Sequence, residues 1–357
     1  MKQKILIKTI STLCLLLLAL PVMFSQVRGN GNIEKQERSV GDFTGIVVRS
    51  GIDLLIGQGN QSKVVIETDE NLQEYIITEV ESGILNIYVQ KDARINRSSA
   101  MDAHVTVNQL NKLKVSGGGD VQSQGLISTE DIGMAISGGG DLQFDLKANR
   151  AKCEVSGGGD VSLNADIREF KAEISGGGDL YFEGDLGLLD LSMSGGGDAK
   201  IHGGSGAEGV IISMSGGGDL ILEITCEKIK VSSAGGGDVS ASAGSDVSQA
   251  GFSLTGGGDL NLEIGAGDLA VSMGGGGDAT LRGSANKFAC EIKSGGDLDA
   301  PDFRIKAAKI DLTGGSDASI HVDEELLLNA TGGAQIYITG DPHIDANLTG
   351  GAKIHRK

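Results

Sequence analysis

The sequence contains no Trp and only 3 Pro among its 357 residues, and aromatic residues make up 3% of the chain. So few rings argue against a binding site built from stacked aromatic side chains, such as those that hold bases or sugars. Basic residues are also in deficit: 30 Lys+Arg stand against 48 Asp+Glu, for a formal net charge of −18. The negative net charge argues against nucleic-acid binding through phosphate contacts and against docking on an anionic membrane.

Glycine is the residue present in excess, at 58 of the 357 residues, whereas ordinary proteins contain about 7%. The chain lacks both the Gly-X-Y period and the proline content of collagen, so that structure is excluded. The glycines recur at regular positions, which indicates an ordered repeat rather than a flexible linker.

The repeat begins near residue 113 and has the form apolar-x-apolar-Ser/Thr-Gly-Gly-Gly-Asp-apolar-x-apolar, with spacings of 18 to 21 residues. Apolar and polar residues alternate on both sides of the glycines, as they do in β-strands. A period near twenty residues is typical of a solenoid. We therefore predict an all-β fold, a parallel β-helix of about 13 coils, and right-handed winding, which parallel crossovers prefer. In the less regular return segments, the residues expected to face the core are Ala148, Ile167, Phe170, Leu186 and Leu188.

Three regions follow from these patterns. Residues 1–25 have a basic start, an apolar stretch from Ile10 to Leu20 and a polar end, which predicts a secretory signal peptide. Residues 26–112 form a strand-rich head or cap continuous with the solenoid, and residues 113–357 form the repeat itself. We expect export to the periplasm, the outer-membrane surface or the medium. No segment after the signal peptide is expected to span a membrane.

Within the head, the stretch Ile46–Ile56 matches the repeat motif given above, which we call the coil phrase, without its full glycine run. It predicts a first coil that starts the solenoid, which the rest of the head covers. The stretch Lys91–Ala100 is polar and carries three basic residues, so we expect a solvated loop there.

The opening of this region resembles a known family. The residues Gly29-Asn-Gly-Asn-Ile33, Arg38-Ser-Val40, Phe43-Thr-Gly-Ile46 and Ser50-Gly-Ile-Asp-Leu54 are similar to exported bacterial proteins of the family described as auto-transporter adhesin, head GIN domain. That resemblance covers the chain beyond the signal peptide. It implies a β-helical fold, a Bacteroidetes-type source and an adhesion role, and it assigns no catalytic or binding residue.

The Asp that closes each glycine run is the main chemical feature of the repeat. If the coils stack in register, these carboxylates lie ~4.8 Å apart and repel one another. Hydrogen bonds from backbone N–H groups at the corner would offset this repulsion. Bound cations would also do so, and Ca²⁺ is the cation that suits carboxylate oxygens. The candidate cation or ligand ladder consists of Asp120, Asp141, Asp160, Asp179, Asp198, Asp219, Asp238, Asp259, Asp278, Asp297 and Asp317.

The remaining residues of interest carry weaker indications of chemistry. Beyond the predicted signal peptide, which contains Cys14, the cysteines are Cys153, Cys226 and Cys290, an odd number, and we expect small buried residues rather than disulfides. No Cys/His cluster has the spacing of a zinc site. An active site should break the repeat, and no coil shows a distinctive Asp/Lys/Arg cluster, so we expect no catalytic residues.

These observations favour an exported, non-catalytic β-solenoid that acts in adhesion or binding, through many identical contacts on an acidic face. Expected partners are a glycan or a cell-surface protein rather than nucleic acid, and Ca²⁺ is the one candidate cofactor. Two alternatives stay open: a polysaccharide-active β-helix lyase or hydrolase, and a purely structural solenoid stabilised by ions.

Overall fold

A computed structural model describes residues 25–293 and 295–356. The predicted signal peptide lies outside these residues, apart from its last position. Within the described part, the chain is almost entirely β-strand, and no helix is long and apolar enough to cross a membrane.

The head consists of nine short strands and one 3-10 helix. Their bounds are β1 (Ser25–Arg28), β2 (Ile33–Arg38), β3 (Gly45–Arg49), β4 (Asp53–Gln58), β5 (Lys63–Asp69), the 3-10 helix (Glu70–Tyr75), β6 (Ile76–Glu81), β7 (Ile84–Val89), β8 (Ala93–Arg97) and β9 (Met101–Val107).

The solenoid consists of longer strands, many of which run around a whole coil from one glycine corner to the next. Those of the first half are β10 (Lys112–Gly117), β11 (Val121–Ser123), β12 (Ile127–Gly138), β13 (Leu142–Gly157), β14 (Val161–Gly176), β15 (Leu180–Gly195), β16 (Ala199–Ala207), β17 (Gly209–Gly216), β18 (Leu220–Cys226) and β19 (Lys228–Gly235). Those of the second half are β20 (Val239–Ser242), β21 (Val247–Gly256), β22 (Leu260–Gly274), β23 (Ala279–Lys293), β24 (Leu298–Leu312), β25 (Ala318–Ala330), β26 (Gln335–Thr339), β27 (His343–Leu348) and β28 (Lys353–Arg356).

Each coil pairs in parallel with the next, and residues of the same column lie opposite one another. Met134 pairs with Cys153, Cys153 with Ala172, and Ala172 with Leu191. The prediction of a parallel β-solenoid of about 13 coils is therefore confirmed.

The apolar columns of the repeat fill one continuous core. The residues that follow each ladder Asp are buried, and so are those five and seven positions before it. Phe side chains occupy this interior, and the rings of Phe170 and Phe182 stack with centroids 5.6 Å apart. Since one coil cannot bury its apolar face alone, the stack is the unit of stability.

Four of the five predictions for the return segments are confirmed, and the prediction for Leu188 is wrong, since this side chain is 41% exposed. Inward positions in this segment are three residues apart, as in Leu186 and Leu189, because the strand bends there and alternation shifts by one residue. Leu189 therefore takes the core position opposite Phe170, and Leu188 lies in an outward row opposite Glu169.

The glycine corner is where successive coils approach most closely. In the corner of Gly176, Gly177 and Gly178, the first residue has a φ of 120°, a value that L side chains rarely adopt. The third has ordinary φ, but a Cβ placed on it would lie 2.1 Å from the carbonyl oxygen of Gly159 in the preceding coil. The middle glycine meets nothing within 4 Å. Two of the three positions therefore require glycine, for different reasons.

The head stacks its strands in an order that differs from the order of the chain. Strand β3 pairs with β10 of the solenoid on one side and with β7 on the other, all in parallel. Strand β4 pairs in the same way with β11 and β9. The pair β3–β4 is thus a coil enclosed between β10–β11 and an outermost layer, β7–β9.

Antiparallel strands cover this outermost layer. Strand β6 pairs with β7, β5 pairs with β9, and β2 pairs with β5. The edge of the first parallel layer is therefore closed by other strands rather than left open to solvent.

The corner geometry gives a matched pair of variants. We expect Gly178→Ala to destabilise the fold by about 2–3 kcal/mol, because the added methyl group overlaps a backbone oxygen that cannot move away. Gly177→Ala should change stability by less than about 0.5 kcal/mol, since the site is open to solvent. Urea unfolding of both variants beside the parent protein measures the difference, and equal effects at the two positions would contradict the proposed close contact.

Candidate functional site

The predicted Asp ladder forms one line along the glycine corner, and its carboxylates bond to the backbone of the next coil. Asp141 donates its backbone N–H to Oδ1 of Asp120 at 2.9 Å, and Asp160 donates to Asp141 in the same way. The pattern repeats without a break at 2.8–2.9 Å up to Asp317. Each carboxylate therefore ties its own coil to the following one.

The ladder extends beyond the eleven predicted residues at both ends. Asp120 donates its N–H to Oδ1 of Asp53 at 2.9 Å, so Asp53 is the first member. At the other end, Gln335 donates its N–H to Asp317. The coil phrase at Ile46–Ile56 contains Asp53 in the equivalent place, so the sequence held the indication needed to include it.

The row of acidic residues continues across the head. Asp53 lies opposite Asp102 on β9, Asp102 lies opposite Glu67 on β5, and Glu67 lies opposite Lys35 on β2. His104 is two residues beyond Asp102 and lies on the same face of β9. Its Nε2 is 2.9 Å from Oε2 of Glu67, and Nζ of Lys35 is 3.1 Å from the same oxygen.

These contacts shift the pKa values of the two head carboxylates, Glu67 and Asp102, in opposite directions. The hydrogen bonds from His104 and Lys35 hold the pKa of Glu67 below its usual value, against the opposing effect of burial. Burial raises the pKa of Asp102, and the charges of Asp53 and Glu67 raise it further. Asp102 is thus the carboxylate of this row that gains most from a nearby cation.

Ligand atoms of Glu67, Asp102 and His104 all lie within 4.8 Å of one another, which makes this the candidate metal cluster among the described residues. One imidazole and two carboxylates suit Zn²⁺ or a similar transition metal better than Ca²⁺, which takes 6–8 oxygen ligands. Sequence reasoning missed the cluster because its members come together only through strand register. Ca²⁺ binding along the solenoid ladder stays a prediction.

The outermost layer lacks the short corner that the coil below it has. Register places Tyr88 of β7 above Arg49, and Asp102 of β9 above Asp53. In the coil below, Ser50, Gly51 and Ile52 make the connection between these positions. In the outermost layer, residues 89–101 make it instead. Part of this longer connection is β8, which pairs in parallel with β1, so the expectation of a solvated loop at Lys91–Ala100 is wrong for Ala93–Arg97.

The carboxylate of Asp69 binds the end of this connection at Ser99. Its fully buried carboxylate accepts hydrogen bonds from the N–H of Gly31 at 2.6 Å, and from the N–H and hydroxyl of Ser99 at 2.7 Å and 3.0 Å. A Cβ on Gly29 would lie 2.3 Å from an oxygen of the same carboxylate. The first glycine of the opening motif is thus required by a buried aspartate that joins the first described residues to the end of the long connection, whereas Gly31 has a φ of 87° that favours glycine.

Cys153, Cys226 and Cys290 lie where the apolar pattern predicts, and these three described cysteines are free and buried. Burial raises the pKa of the Cys153 thiol to about 12 and that of the Cys226 thiol to about 11. Thiols with such pKa values are poor nucleophiles and poor metal ligands at neutral pH.

The fold and the corner define the chain as a parallel β-solenoid with a covered head and an acidic ladder. The chain belongs to the family described as "Putative auto-transporter adhesin, head GIN domain", whose model matches residues 42–202 and 245–342. No curated protein matches the chain at a significant level.

Solved structures of bacterial proteins are similar to this chain. The crystal structure of a putative adhesin from Bacteroides fragilis has a TM-score of 0.51 at 18% identity, covering 66% of this chain and 99% of that one. A putative lipid binding protein from Parabacteroides distasonis has a TM-score of 0.42 at 17% identity, covering 93% of this chain and 100% of that one. At this identity, the first likeness concerns the fold alone.

The ladder contacts predict opposite effects for two substitutions of Asp198. Asp198→Ala removes the acceptor of the Asp219 N–H and should destabilise the protein by about 1 kcal/mol. Asp198→Asn keeps an acceptor oxygen and removes one repelling charge, so it should be at least as stable as the parent at low salt. Urea unfolding in chelator and in Ca²⁺ checks both. An Asn variant as unstable as the Ala variant, with a loss confined to Ca²⁺ buffer, would instead indicate a cation-bound ladder.

Asp69 predicts how the stability of the protein depends on pH. Burial alone would raise the pKa of Asp69, but the hydrogen bonds from Ser99 and Gly31 outweigh it and hold the pKa below the usual 3.8. The stabilisation from these bonds is therefore complete above about pH 4 and is lost as pH falls through the lower, folded-state pKa. Asp69→Asn should lower the melting temperature at pH 7, and the gap to the parent should narrow toward pH 2–3. A gap that stays constant with pH would contradict this assignment.

Proposed function

We propose that this chain is an exported, non-catalytic binding module that acts in adhesion, at the cell surface or in the periplasm. Membership of the adhesin family supports a binding role. The predicted signal peptide supports export.

The observation that carries the proposal is the uniformity of the stack. From Asp120 to Asp317 the corner repeats the same backbone-to-carboxylate bond, coil after coil, and the core behind it is continuous. A stiff array of equivalent surfaces suits many weak, simultaneous contacts with a repetitive partner, because each contact after the first is intramolecular.

The location is tested by labelling cells with an antibody against the folded protein, before and after the outer membrane is permeabilised. We expect labelling of intact cells for a surface location, or only after permeabilisation for a periplasmic one. Recovery of the protein solely in the cytosolic fraction would overturn the proposal.

The binding role is tested by coating beads with the purified protein and incubating them with neutral and acidic polysaccharides and with cell-surface preparations. We expect several-fold more retention than on beads coated with unfolded protein, without release of shortened products. Product release would favour the open alternative of a polysaccharide-active enzyme, and absence of retention on every surface would favour a purely structural solenoid.

A further inference from the structure

A cavity of about 910 Å³ lies at the corner of the outermost layer, where residues 89–101 replace the short connection of the coil below. Its walls are the ends of β3 and β7 on one side and the β1–β8 ribbon on the other. The cavity therefore occupies the space that the next glycine corner would fill if the repeat continued. It is the place in the described head where the regular stack gives way to a concave surface.

The lining of this cavity is basic, although the chain as a whole has a net charge of −18. It contains Arg49, Lys91, Arg94 and Arg97, and no Asp or Glu is among the described residues that line it. Cavities along the coils differ, since acidic residues line them too: in one Lys147 lies 2.6 Å from Asp166, and in another Arg150 lies 2.7 Å from Asp131. Like charges gathered in one concavity suit an anionic ligand.

Ser50 adds a hydroxyl group to this lining. It lines the cavity and has a φ of 71°, in the region that favours glycine. In the coil below, the equivalent residue is Gly117, and most later coils have glycine there, although the sequence has a second serine, Ser294, at this place before Asp297. The Ser50 hydroxyl accepts a hydrogen bond of 3.4 Å from the backbone N–H of Val89, so it also ties the outermost layer to the coil below.

Tyr88 supplies the remaining contact surface. Its half-buried ring lines the cavity, and the Arg49 guanidinium lies 5.9 Å from the ring centroid. Its hydroxyl donates a hydrogen bond of 2.8 Å to Glu79 on the neighbouring strand β6, which fixes the position of the ring. The site thus combines guanidinium groups, a hydroxyl and an aromatic face. Guanidinium forks bind carboxylate or sulfate in a bidentate manner, and an aromatic face packs against the apolar face of a sugar ring.

We propose that this cavity binds an anionic saccharide, a sugar unit that carries a carboxylate or sulfate group. The inference rests on the proposed function and names the ligand class for it. The ligand charge must be concentrated in a short stretch or at a chain end, because a long polyanion would also meet the acidic ladder, which starts at Asp53 close to the same corner. The concave shape and the single ring favour a saccharide over a flat anionic membrane.

Titration of the purified protein by calorimetry tests the proposal. The probes are trigalacturonate, a heparin-derived tetrasaccharide and neutral maltotriose. We expect binding of at least one acidic probe and none of maltotriose. Arg94→Ala combined with Arg97→Ala should weaken binding of that acidic probe at least tenfold, since charge-assisted hydrogen bonds are lost.

The matched control is Arg282→Ala combined with Arg304→Ala, two exposed arginines on the coils, which makes the same change in net charge. This variant should bind like the parent. An equal loss of binding in the control would show that net charge alone causes the effect, and it would overturn the proposed site. Absence of binding to both acidic probes, or binding only to vesicles of anionic lipid, would overturn the ligand class.

The bead assay separates this inference from the proposed function. If the cavity variants no longer bind the acidic saccharide and their retention on beads also falls, the ligand assignment and the proposed function are both supported. If retention persists while saccharide binding is absent in the parent protein, the ligand assignment fails and the binding module remains.

Discussion

The close approach of backbone to backbone at the glycine corner is the constraint on which the rest of this structure depends. The carbonyl oxygen of Gly159 lies where a side chain on Gly178 would begin, and the same contact recurs between Gly178 and Gly197. With the corners this close, the Asp carboxylate of one coil reaches the backbone N–H of the next. The apolar columns on either side then meet their counterparts and form one core.

The same geometry explains how a line of like charges is tolerated. Neighbouring carboxylates repel, but each accepts a hydrogen bond from a backbone donor at 2.8–2.9 Å, and each remains exposed to water, which screens the charges. The ladder therefore has a structural role at every coil. Chemistry that distinguishes one position from another is found in the head, where Glu67, Asp102 and His104 meet and where the corner opens.

Much of the solenoid could be predicted from the sequence, because its information is local. Alternation around each glycine run identifies the strands, and the fixed spacing places Cys153 and Ala172 in one column. The prediction that Leu188 faces the core was wrong because a bend shifts the alternation by one residue, so that Leu189 takes the core position.

The head could be predicted only in part. The coil phrase at Ile46–Ile56 identifies a coil and its Asp53, but the pairing of β7 above β3 depends on a chain that leaves the stack and returns out of order. For the same reason, neither the cluster around His104 nor the cavity beside Ser50 has a linear motif. Both arise where strands distant in sequence come into register.

Residue-level hydrogen exchange of the ladder amides tests the central claim most directly, namely that each carboxylate ties its coil to the next through a backbone N–H. The account predicts strong protection of the amides of Asp141 through Asp317, although their side chains are at the surface. Ladder amides that exchange at the rate of an unprotected chain would contradict it.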